Sequence, residues 1–384
     1  MTDAEVDIAI VGAGIAGAAL AARVAPHARV LLLERESQPG MHATGRSAAM
    51  FMASYGSPQG RALTRASRAF YAAPPPGFAD TSILSPRGVL YVGWHGDEPR
   101  LDALAAELRA GGTAVERLGP AEALARLPVL RPDRLAGAVA EPDAMDVDVN
   151  ALLHGWLRAA RAAGALRWTD AAFVGATRER DPGGSDRWAI DVAGGRRVRA
   201  SVLVDAAGAW ADEVAAAAGA PPLGLQPKRR SAFTFDAPPG IDHRPWPTTC
   251  AIDESWYFKP DAGQLLGSPA NADPVSPHDV QPEEIDIATG IAGIEAATTL
   301  TIRRPRHTWA GLRSFAPDGE MLIGFDPARP GLFWLAGQGG WGIQSADGAA
   351  ALAAALLLGT PLPDALRREG VDPAAVSPAR LRAA

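Results

Sequence analysis

The stretch VDIAIVGAGIAG, residues 6–17, decides the fold of this chain. Its first six residues form an apolar run that predicts a short buried strand, and the Ala-rich segment 15–25 predicts a helix that ends near Pro26. A second apolar run at 29–34 predicts another buried strand. A strand, a helix and a strand within about 30 residues make a βαβ unit, so we expect a parallel sheet.

Three glycines stand between the first strand and the helix. Gly12 permits a tight turn, Gly14 lets the backbone approach a pyrophosphate, and Gly17 lets the helix pack closely on the strand. Glu34 ends the second strand, where its carboxylate can accept hydrogen bonds from ribose hydroxyls. The unit predicts a dinucleotide site without separating NAD from FAD. Its other predicted cofactor contacts are Ala13, Ile15, Ala16, Arg35 and Ala172.

Three later segments favour FAD. The loop at 44–49 combines small residues with one arginine and suits a pyrophosphate or a flavin ring; its residues are Thr44, Gly45, Arg46, Ser47, Ala48 and Ala49. The apolar run 202–205 leads into small residues that include Gly208. A third run at 332–336 leads into a Gly-rich turn and a helix of about 16 residues, whose N-terminus would direct positive charge at the N1–C2=O edge of a flavin. The turn residues concerned are Gly339, Gly340, Trp341, Gly342, Ile343 and Gln344.

Composition excludes several other classes of protein. The net charge of −6 gives no basic face for nucleic acid, and the apolar run 349–358 is too short to span a bilayer. The acidic N-terminus leads directly into a strand, so we expect no secretory signal. Cys250 is the single cysteine, which excludes a disulfide within the chain and fits a cytoplasmic location. No histidine pair has metal-ligand spacing, and we expect no metal site.

Long strings across the chain carry a family resemblance. They include ATGRSAA (43–49), YGSPQ (55–59), QPKRRSAF (226–233), DESWYFKPDAG (253–263), TWAGLRSF (308–315) and GQGGWGIQ (337–344). The chain resembles the D-amino-acid oxidase and glycine oxidase superfamily of flavoproteins, and is most similar to bacterial FAD-dependent D-arginine dehydrogenases. The resemblance implies a Rossmann-like α/β domain that binds FAD non-covalently, interleaved with a mainly antiparallel β substrate domain. We assign 1–55, 146–225 and 316–384 to the first, and 56–145 and 226–315 to the second.

The resemblance also implies a substrate site. An amino-acid carboxylate suits arginine, whose planar fork binds it in a bidentate manner, and Arg230 and Arg313 match the carboxylate-binding arginines of the family. Tyr257 matches a tyrosine that touches the same carboxylate, and Tyr55 matches one on a loop that closes over the substrate. Gly340 and Gln344 match positions near the flavin ring and the substrate amine. Lys259 is expected either to extend the polar lining or to be a solvated edge lysine.

Three positions depart from the D-arginine dehydrogenase pattern. Met50 stands where that pattern has a histidine facing the substrate, Val89 where it has a glutamate that meets the guanidinium, and Trp341 replaces another aromatic residue. The side-chain end of the pocket is therefore expected to be apolar, which argues against D-arginine as the substrate and leaves amino-acid oxidation in place.

The expected reaction is oxidative deamination of a D-amino acid by hydride transfer to flavin N5, yielding a 2-oxo acid and ammonia. The alternatives are oxidation of a 2-hydroxy acid, oxidation of a glycine- or sarcosine-type amine, and a non-catalytic FAD carrier. A 2-hydroxy acid needs a base for its hydroxyl proton, usually a histidine, and Met50 argues against that reaction. The sequence leaves open whether oxygen or a quinone accepts the electrons.

Overall fold

The computed structural model describes residues 3–180, 184 and 186–382. The chain forms twenty strands: β1 (Ala4–Val11), β2 (Val30–Leu33), β3 (Met50–Phe51), β4 (Leu84–Pro86), β5 (Val89–Trp94), β6 (Glu116–Leu118), β7 (Leu135–Glu141), β8 (Met145–Val147), β9 (Leu166–Trp168), β10 (Phe173–Arg180), β11 (Asp186–Val192), β12 (Arg196–Asp205), β13 (Gln226–Phe235), β14 (Thr248–Ala251), β15 (Tyr257–Asp261), β16 (Gln264–Ser268), β17 (Asp273–Pro274), β18 (His307–Phe315), β19 (Leu322–Phe325) and β20 (Leu332–Ala336). These counts refer to the described residues.

The α-helices within the same residues are α1 (Ile15–Val24), α2 (Pro58–Ala72), α3 (Glu98–Ala110), α4 (Pro120–Arg126), α5 (Val149–Ala162), α6 (Ala211–Ala217), α7 (Glu284–Ala297), α8 (Ala346–Leu358), α9 (Asp364–Arg368), α10 (Pro373–Val376) and α11 (Ala379–Arg382). Two short 3₁₀ turns lie at Ala193–Gly195 and Gly208–Trp210.

The first βαβ unit lies at the centre of an eight-stranded sheet. Strand β1 pairs in parallel with β2 on one side and with β12 on the other, and β12 pairs in parallel with β20. Strands β10, β11 and β19 add antiparallel pairs to this parallel centre. The expected parallel sheet is therefore present, and the carboxyl ends of β1, β2, β12 and β20 lie at the same edge.

Both faces of this sheet are covered, which explains why its strands are continuously apolar. Along β1, Ile8 and Ile10 face a core that also includes residues of α1, α5 and α8. Ala9 and Val11 face the opposite core, which contains residues of α6 and β11. Successive strand side chains point to opposite faces, so one strand supplies both cores.

A nine-stranded, mainly antiparallel sheet forms the second large unit, in the order β17-β13-β16-β15-β14-β5-β7-β6, with β18 along the other edge of β13. The pair β13–β18 brings two parts of the sequence together, with Arg230 opposite Gly311 and Lys228 opposite Arg313. A small sheet of β3, β8 and β4 completes the strands. The expected combination of a Rossmann-like domain and a β-rich domain is confirmed.

Several helices were not expected from the sequence, and α2 and α7 are the longest of them. Helix α2 begins at Pro58 beyond the N-cap Ser57, whose side chain accepts a hydrogen bond from the Gly60 amide. It contributes Ala62 and Leu63 to the core shared with β1 and α8, although it lies in the segment 56–145. Helix α7 lies in the segment 226–315, which we expected to be mainly antiparallel β. The interleaved domain boundaries remain our proposal.

No helix among the described residues is long and apolar enough to cross a bilayer. In the same part of the chain, His, Cys, Asp and Glu side chains form no cluster of three or more that could hold a metal ion.

Candidate active site

A cavity of about 670 Å³ opens at the carboxyl edge of the parallel strands and extends to the antiparallel sheet. Its lining combines backbone from the glycine-rich turns with side chains of β13, β14, β15 and β18. This position fits the rule that α/β sheets bind ligands beyond the carboxyl ends of their strands.

The first glycines are required by close approach of the chain. Gly12 has φ of +102°, and a Cβ there would lie 2.4 Å from the carbonyl oxygen of Ala206. A Cβ on Gly17 would lie 2.0 Å from the carbonyl oxygen of Gly12, so the helix could not pack at this depth. A Cβ on Gly14 would contact only Thr44 Oγ1, at 3.2 Å, and Gly14 lines the cavity. Backbone at Gly14 is therefore open to a ligand.

Hydrogen bonds fix the polar groups at this end. The buried Glu34 carboxylate accepts from the amides of Ala13 and Glu36, each at 3.0 Å. A carboxylate has about four lone-pair sites, so it can also accept from ligand hydroxyls. The hydroxyl of Thr44 accepts from the Ile15 amide at 3.0 Å, which fixes the 43–49 loop at the start of α1. The Arg35 guanidinium lies 3.8 Å from the centroid of the Trp210 ring, and both residues line the cavity.

The side chain of Arg46 is held by hydrogen bonds and an ion pair within the protein. Its guanidinium donates to the carbonyls of Val280 and Ala310 at 3.0 and 3.1 Å and pairs with Asp279. The indole of Trp309 donates to the Arg46 carbonyl at 3.0 Å. We predicted that this arginine would suit the pyrophosphate or the flavin. Its charge instead holds the loop against the antiparallel sheet, and it lines the cavity without a free fork.

At the opposite end, Arg230 and Arg313 face the same cavity. Neither has an Asp or Glu oxygen within 4.0 Å among the described residues, although the neighbouring Arg229 pairs with three acids. Burial lowers the pKa of Arg230, and the nearby Arg313 cation lowers it further. Two desolvated cations without a counter-ion form a site for an anion.

Tyrosines complete the anion site. Tyr55 accepts a hydrogen bond through its hydroxyl from Arg313 Nη1 at 3.0 Å, while Arg313 Nε is buried without an acceptor. Tyr257 lines the cavity beside Arg230 and offers its hydroxyl to the same space. A Cβ on Gly340 would lie 2.7 Å from Arg313 Nη1 and 2.9 Å from the Tyr55 hydroxyl. Gly340 therefore makes room for the arginine–tyrosine pair.

Gln344 lines the cavity, but its amide group is used by the protein. Its Nε2 lies 3.0–3.1 Å from the carbonyls of Met52 and Tyr55 and the hydroxyl of Thr64. Its Oε1 accepts from the Met52 amide at 3.1 Å. The family resemblance places Gln344 near the flavin ring and the substrate amine, and in the structure its side chain also holds the segment that carries Tyr55. The prediction missed this role because the partners are backbone groups 289–292 positions away.

The part of the cavity expected to hold the substrate side chain, called the side-chain wall, differs from the sequence prediction at two residues. Met50 lines the cavity, but Val89 does not; Val89 is 2% exposed and packs behind Met52. Trp341 also lies outside the lining and packs edge-on against Tyr55, with ring centroids 6.0 Å apart. Residues that the sequence did not indicate complete the wall: Met52, Tyr91, Thr248, Cys250 and Glu254.

Some of the remaining predicted cofactor residues line the cavity, and others lie behind its wall. Lining residues include Ile15, Ala16, Ser47, Ala48, Ala49, Ala172, Gly208, Gly339, Gly342 and Ile343. Ala13, Gly17 and Gly45 lie behind the wall, where they shape the turns. Lys259 lines the cavity but is 4% exposed, and its ammonium donates to Asp146 at 2.6 Å and to the Ala48 carbonyl at 3.1 Å. It is not a solvated edge lysine.

Comparison with known families decides between the dinucleotides. A family model described as FAD dependent oxidoreductase matches residues 7–356. The chain belongs to the FAD-dependent oxidoreductase family. FAD is accordingly the cofactor of this flavoprotein.

Solved structures agree with this assignment. Glycine oxidase from Geobacillus kaustophilus is 25% identical, with a TM-score of 0.82 over 97% of this chain and 98% of that one. L-proline dehydrogenase from P. horikoshii is 18% identical, with the same TM-score over 100% and 99% of the two chains. Dithionite-reduced L-alpha-glycerophosphate oxidase from Mycoplasma pneumoniae, with FAD bound, is 16% identical, with a TM-score of 0.82 over 92% and 95%. The last two show the shared fold.

The residues of this flavoprotein fit FAD. Open backbone at Gly14 suits the pyrophosphate, and the Glu34 carboxylate suits the adenosine ribose. The turn before α8 lines the cavity at Gly339, Gly340 and Gly342, so the helix begins beside the space that a flavin ring needs. The partial positive charge at this helix end favours an electron-rich ring edge.

Proposed function

We propose that this flavoprotein oxidises the Cα–N bond of a free D-amino acid to give a 2-oxo acid and ammonia. The observation that carries the proposal is the pair Arg230 and Arg313, two cations in the FAD cavity without an acidic partner among the described residues. A ligand carboxylate supplies the missing negative charge. Family membership supports the oxidoreductase class, and the anion site supports an α-amino acid as substrate.

The site can bind the carboxylate from several directions. Arg313 lines the cavity and donates through Nη1 to Tyr55, while Arg230 and Tyr257 face the same space. Charge-assisted bonds to a carboxylate are about twice as strong as neutral ones, and low exposure strengthens them further. These residues would fix the carboxylate, and thereby restrict the positions open to the Cα hydrogen.

The reaction removes a hydride from Cα and a proton from the amine, and water then converts the imine to the 2-oxo acid and ammonia. FAD, when bound, supplies the acceptor for the hydride. The amine must be neutral for its lone pair to assist. His42 is the one histidine on the described cavity wall, and it pairs with Glu36 at the nucleotide end. The site therefore favours a substrate that loses its amine proton before the bond to hydrogen breaks.

The D configuration and an apolar side chain are the finer parts of the proposal. The strings shared with D-arginine dehydrogenases support the first. Met50 and Met52 on the wall support the second, because flexible thioethers accept varied apolar shapes. Desolvation raises the pKa of the Cys250 thiol to about 12, so this wall residue is neutral at physiological pH. Glu254 is a carboxylate near Met50 and Cys250 in the lining, and it is exposed, whereas Glu34 lies at the nucleotide end.

A smaller amine such as glycine is the second candidate. The 25% identity to glycine oxidase over nearly the whole chain favours it. A 2-hydroxy acid is less well supported, because no histidine faces the arginine end among the described residues.

Product analysis tests the proposal. Purified protein is incubated with matched D and L isomers of leucine, methionine and phenylalanine, with glycine and sarcosine, and with D-lactate. Stoichiometric 2-oxo acid and ammonia from the D isomers support the proposal. Turnover of glycine and sarcosine alone, of L isomers alone, or of D-lactate contradicts it and identifies the alternative.

A further inference from the structure

The segment 52–57 carries Tyr55 into the cavity and has no regular secondary structure over most of its length. Side chains from three distant parts of the chain hold it. Gln344 binds its backbone at Met52 and Tyr55, and the hydroxyl of Ser57 donates to Glu320 at 2.7 Å. The third holder is Glu141, at the end of β7, which accepts from the Ser54 hydroxyl at 2.6 Å.

Glu141 is one of the few buried acids among the described residues that have no cationic partner. Its side chain is 1% exposed, and no Arg, Lys or His of the described residues pairs with it within 4.0 Å. Two other buried acids have cations, since Asp326 pairs with Arg382 and Asp347 with Arg23, whereas Asp205 and Glu34, like Glu141, have none among the described residues. Burial raises the pKa of Glu141, and the hydrogen bonds from Ser54 oppose that shift. A buried acid without a cation destabilises the fold unless its hydrogen bonds are satisfied, so Ser54 is its main local partner.

The position of Glu141 connects the substrate sheet to the Tyr55 segment. It stands opposite Val89 in the β5–β7 ladder, behind the cavity wall formed by Tyr91 and Met52. Ser54 precedes Tyr55 directly, and the Tyr55 hydroxyl accepts from Arg313 on the opposite side of the cavity. A shift at Ser54 would therefore move the Tyr55 hydroxyl away from the anion site.

We propose that Glu141 is a positioning residue that, through Ser54, holds Tyr55 in the conformation that binds the substrate carboxylate. The proposal rests on the proposed function for the meaning of the anion site. It predicts that removing the Glu141–Ser54 hydrogen bond weakens carboxylate binding. The rate at which bound substrate is oxidised should change less, because Glu141 does not line the cavity.

The test compares Ser54→Ala, Glu141→Gln and Glu141→Leu with a control, Asp326→Asn, at a buried acid that does not line the cavity. Benzoate serves as a carboxylate probe, and its binding is followed through the absorbance of the bound flavin. We expect Glu141→Leu and Ser54→Ala to raise the Kd for benzoate about tenfold. Glu141→Gln keeps an amide oxygen for Ser54 and should stay within about threefold of the unmodified protein. The control should leave Kd unchanged.

Thermal melting and hydrogen exchange separate positioning from a structural role. Leucine in place of an unpaired buried acid should not lower the melting temperature, while amides 54–57 should exchange faster in Glu141→Leu. Unchanged benzoate binding in Glu141→Leu, or unchanged exchange at 54–57, overturns the proposal. If the unmodified protein fails to bind benzoate, the proposed carboxylate site is wrong, and the exchange rates still decide whether Glu141 holds the segment.

Discussion

Replacing Arg313 by methionine tests the anion site directly. Arg313 lines the cavity and has one side-chain partner among the described residues, the Tyr55 hydroxyl, so its guanidinium can also bind a substrate carboxylate. Methionine keeps much of the volume and removes the charge. A lost charge-assisted bidentate contact, with the substrate carboxylate left unpaired, costs about 3 kcal/mol. At about 1.36 kcal/mol per decade, kcat/KM should fall at least ~100-fold.

The assay is steady-state kinetics with the best substrate, alongside the flavin absorbance to show that FAD is retained. Arg230→Met should behave in the same manner. The neighbouring Arg229 provides the control, because it pairs with Asp273, Glu283 and Asp286 outside the cavity. Arg229→Met should lower the melting temperature and leave kcat/KM within about threefold. If Arg313→Met with intact flavin retains the kcat/KM of the unmodified protein, Arg313 is not a substrate ligand.

The kcat/KM should rise with pH and reach a plateau as the substrate amine loses its proton, and a flat profile from mildly acidic to alkaline pH would contradict the neutral-amine reaction. Gly340→Ala places a Cβ 2.7 Å from Arg313 Nη1 and 2.9 Å from the Tyr55 hydroxyl, so KM should increase about tenfold or more, and an unchanged KM would show that this contact is dispensable. Burial raises the pKa of the Asp205 carboxyl well above its ordinary value, so this group contributes to stability at acidic pH, and the contribution is lost as the pH rises toward the raised pKa. Asp205→Asn should therefore raise the melting temperature at neutral pH and give no increase near pH 4, and an equal increase at both pH values would refute the raised pKa. D-leucine should exceed D-arginine in kcat/KM by about tenfold, because a guanidinium placed against Met50 and Met52 loses hydration without gaining a buried counter-ion. A preference for D-arginine would contradict our interpretation of this part of the cavity as apolar.

The nucleotide half of the molecule was predictable because its constraints are local. The spacing from Gly12 to Gly17 and the position of Glu34 follow from one strand, one turn and one helix. The structure adds the close contact between Gly12 and Ala206, which depends on a strand nearly two hundred positions later. The local sequence pattern predicts the turn, and the tertiary contact explains why position 12 requires glycine.

The substrate half was predictable only in part. The positions of Arg230 and Arg313 came from family resemblance, and the register of β13 with β18 places them at one cavity. Tyr91 and Cys250 were missed because their place on the wall depends on the pairing of β5 with β14, which a single sequence does not reveal. Val89 shares a strand with Tyr91, yet Met52 covers it. Helix α2 was missed although its buried residues Leu63, Ser67 and Tyr71 recur at helical spacing after the N-cap Ser57.

Anaerobic spectroscopy tests the central claim most directly. The purified protein should be yellow and should release FAD on denaturation. Mixing it with D-leucine, D-methionine or D-phenylalanine without oxygen should bleach the flavin absorbance, and the same addition to Arg313→Met should bleach it far more slowly. If the D-amino acids leave the spectrum of the FAD-loaded protein unchanged while glycine, an L-amino acid or a 2-hydroxy acid bleaches it, the proposal of D-amino-acid oxidation is contradicted.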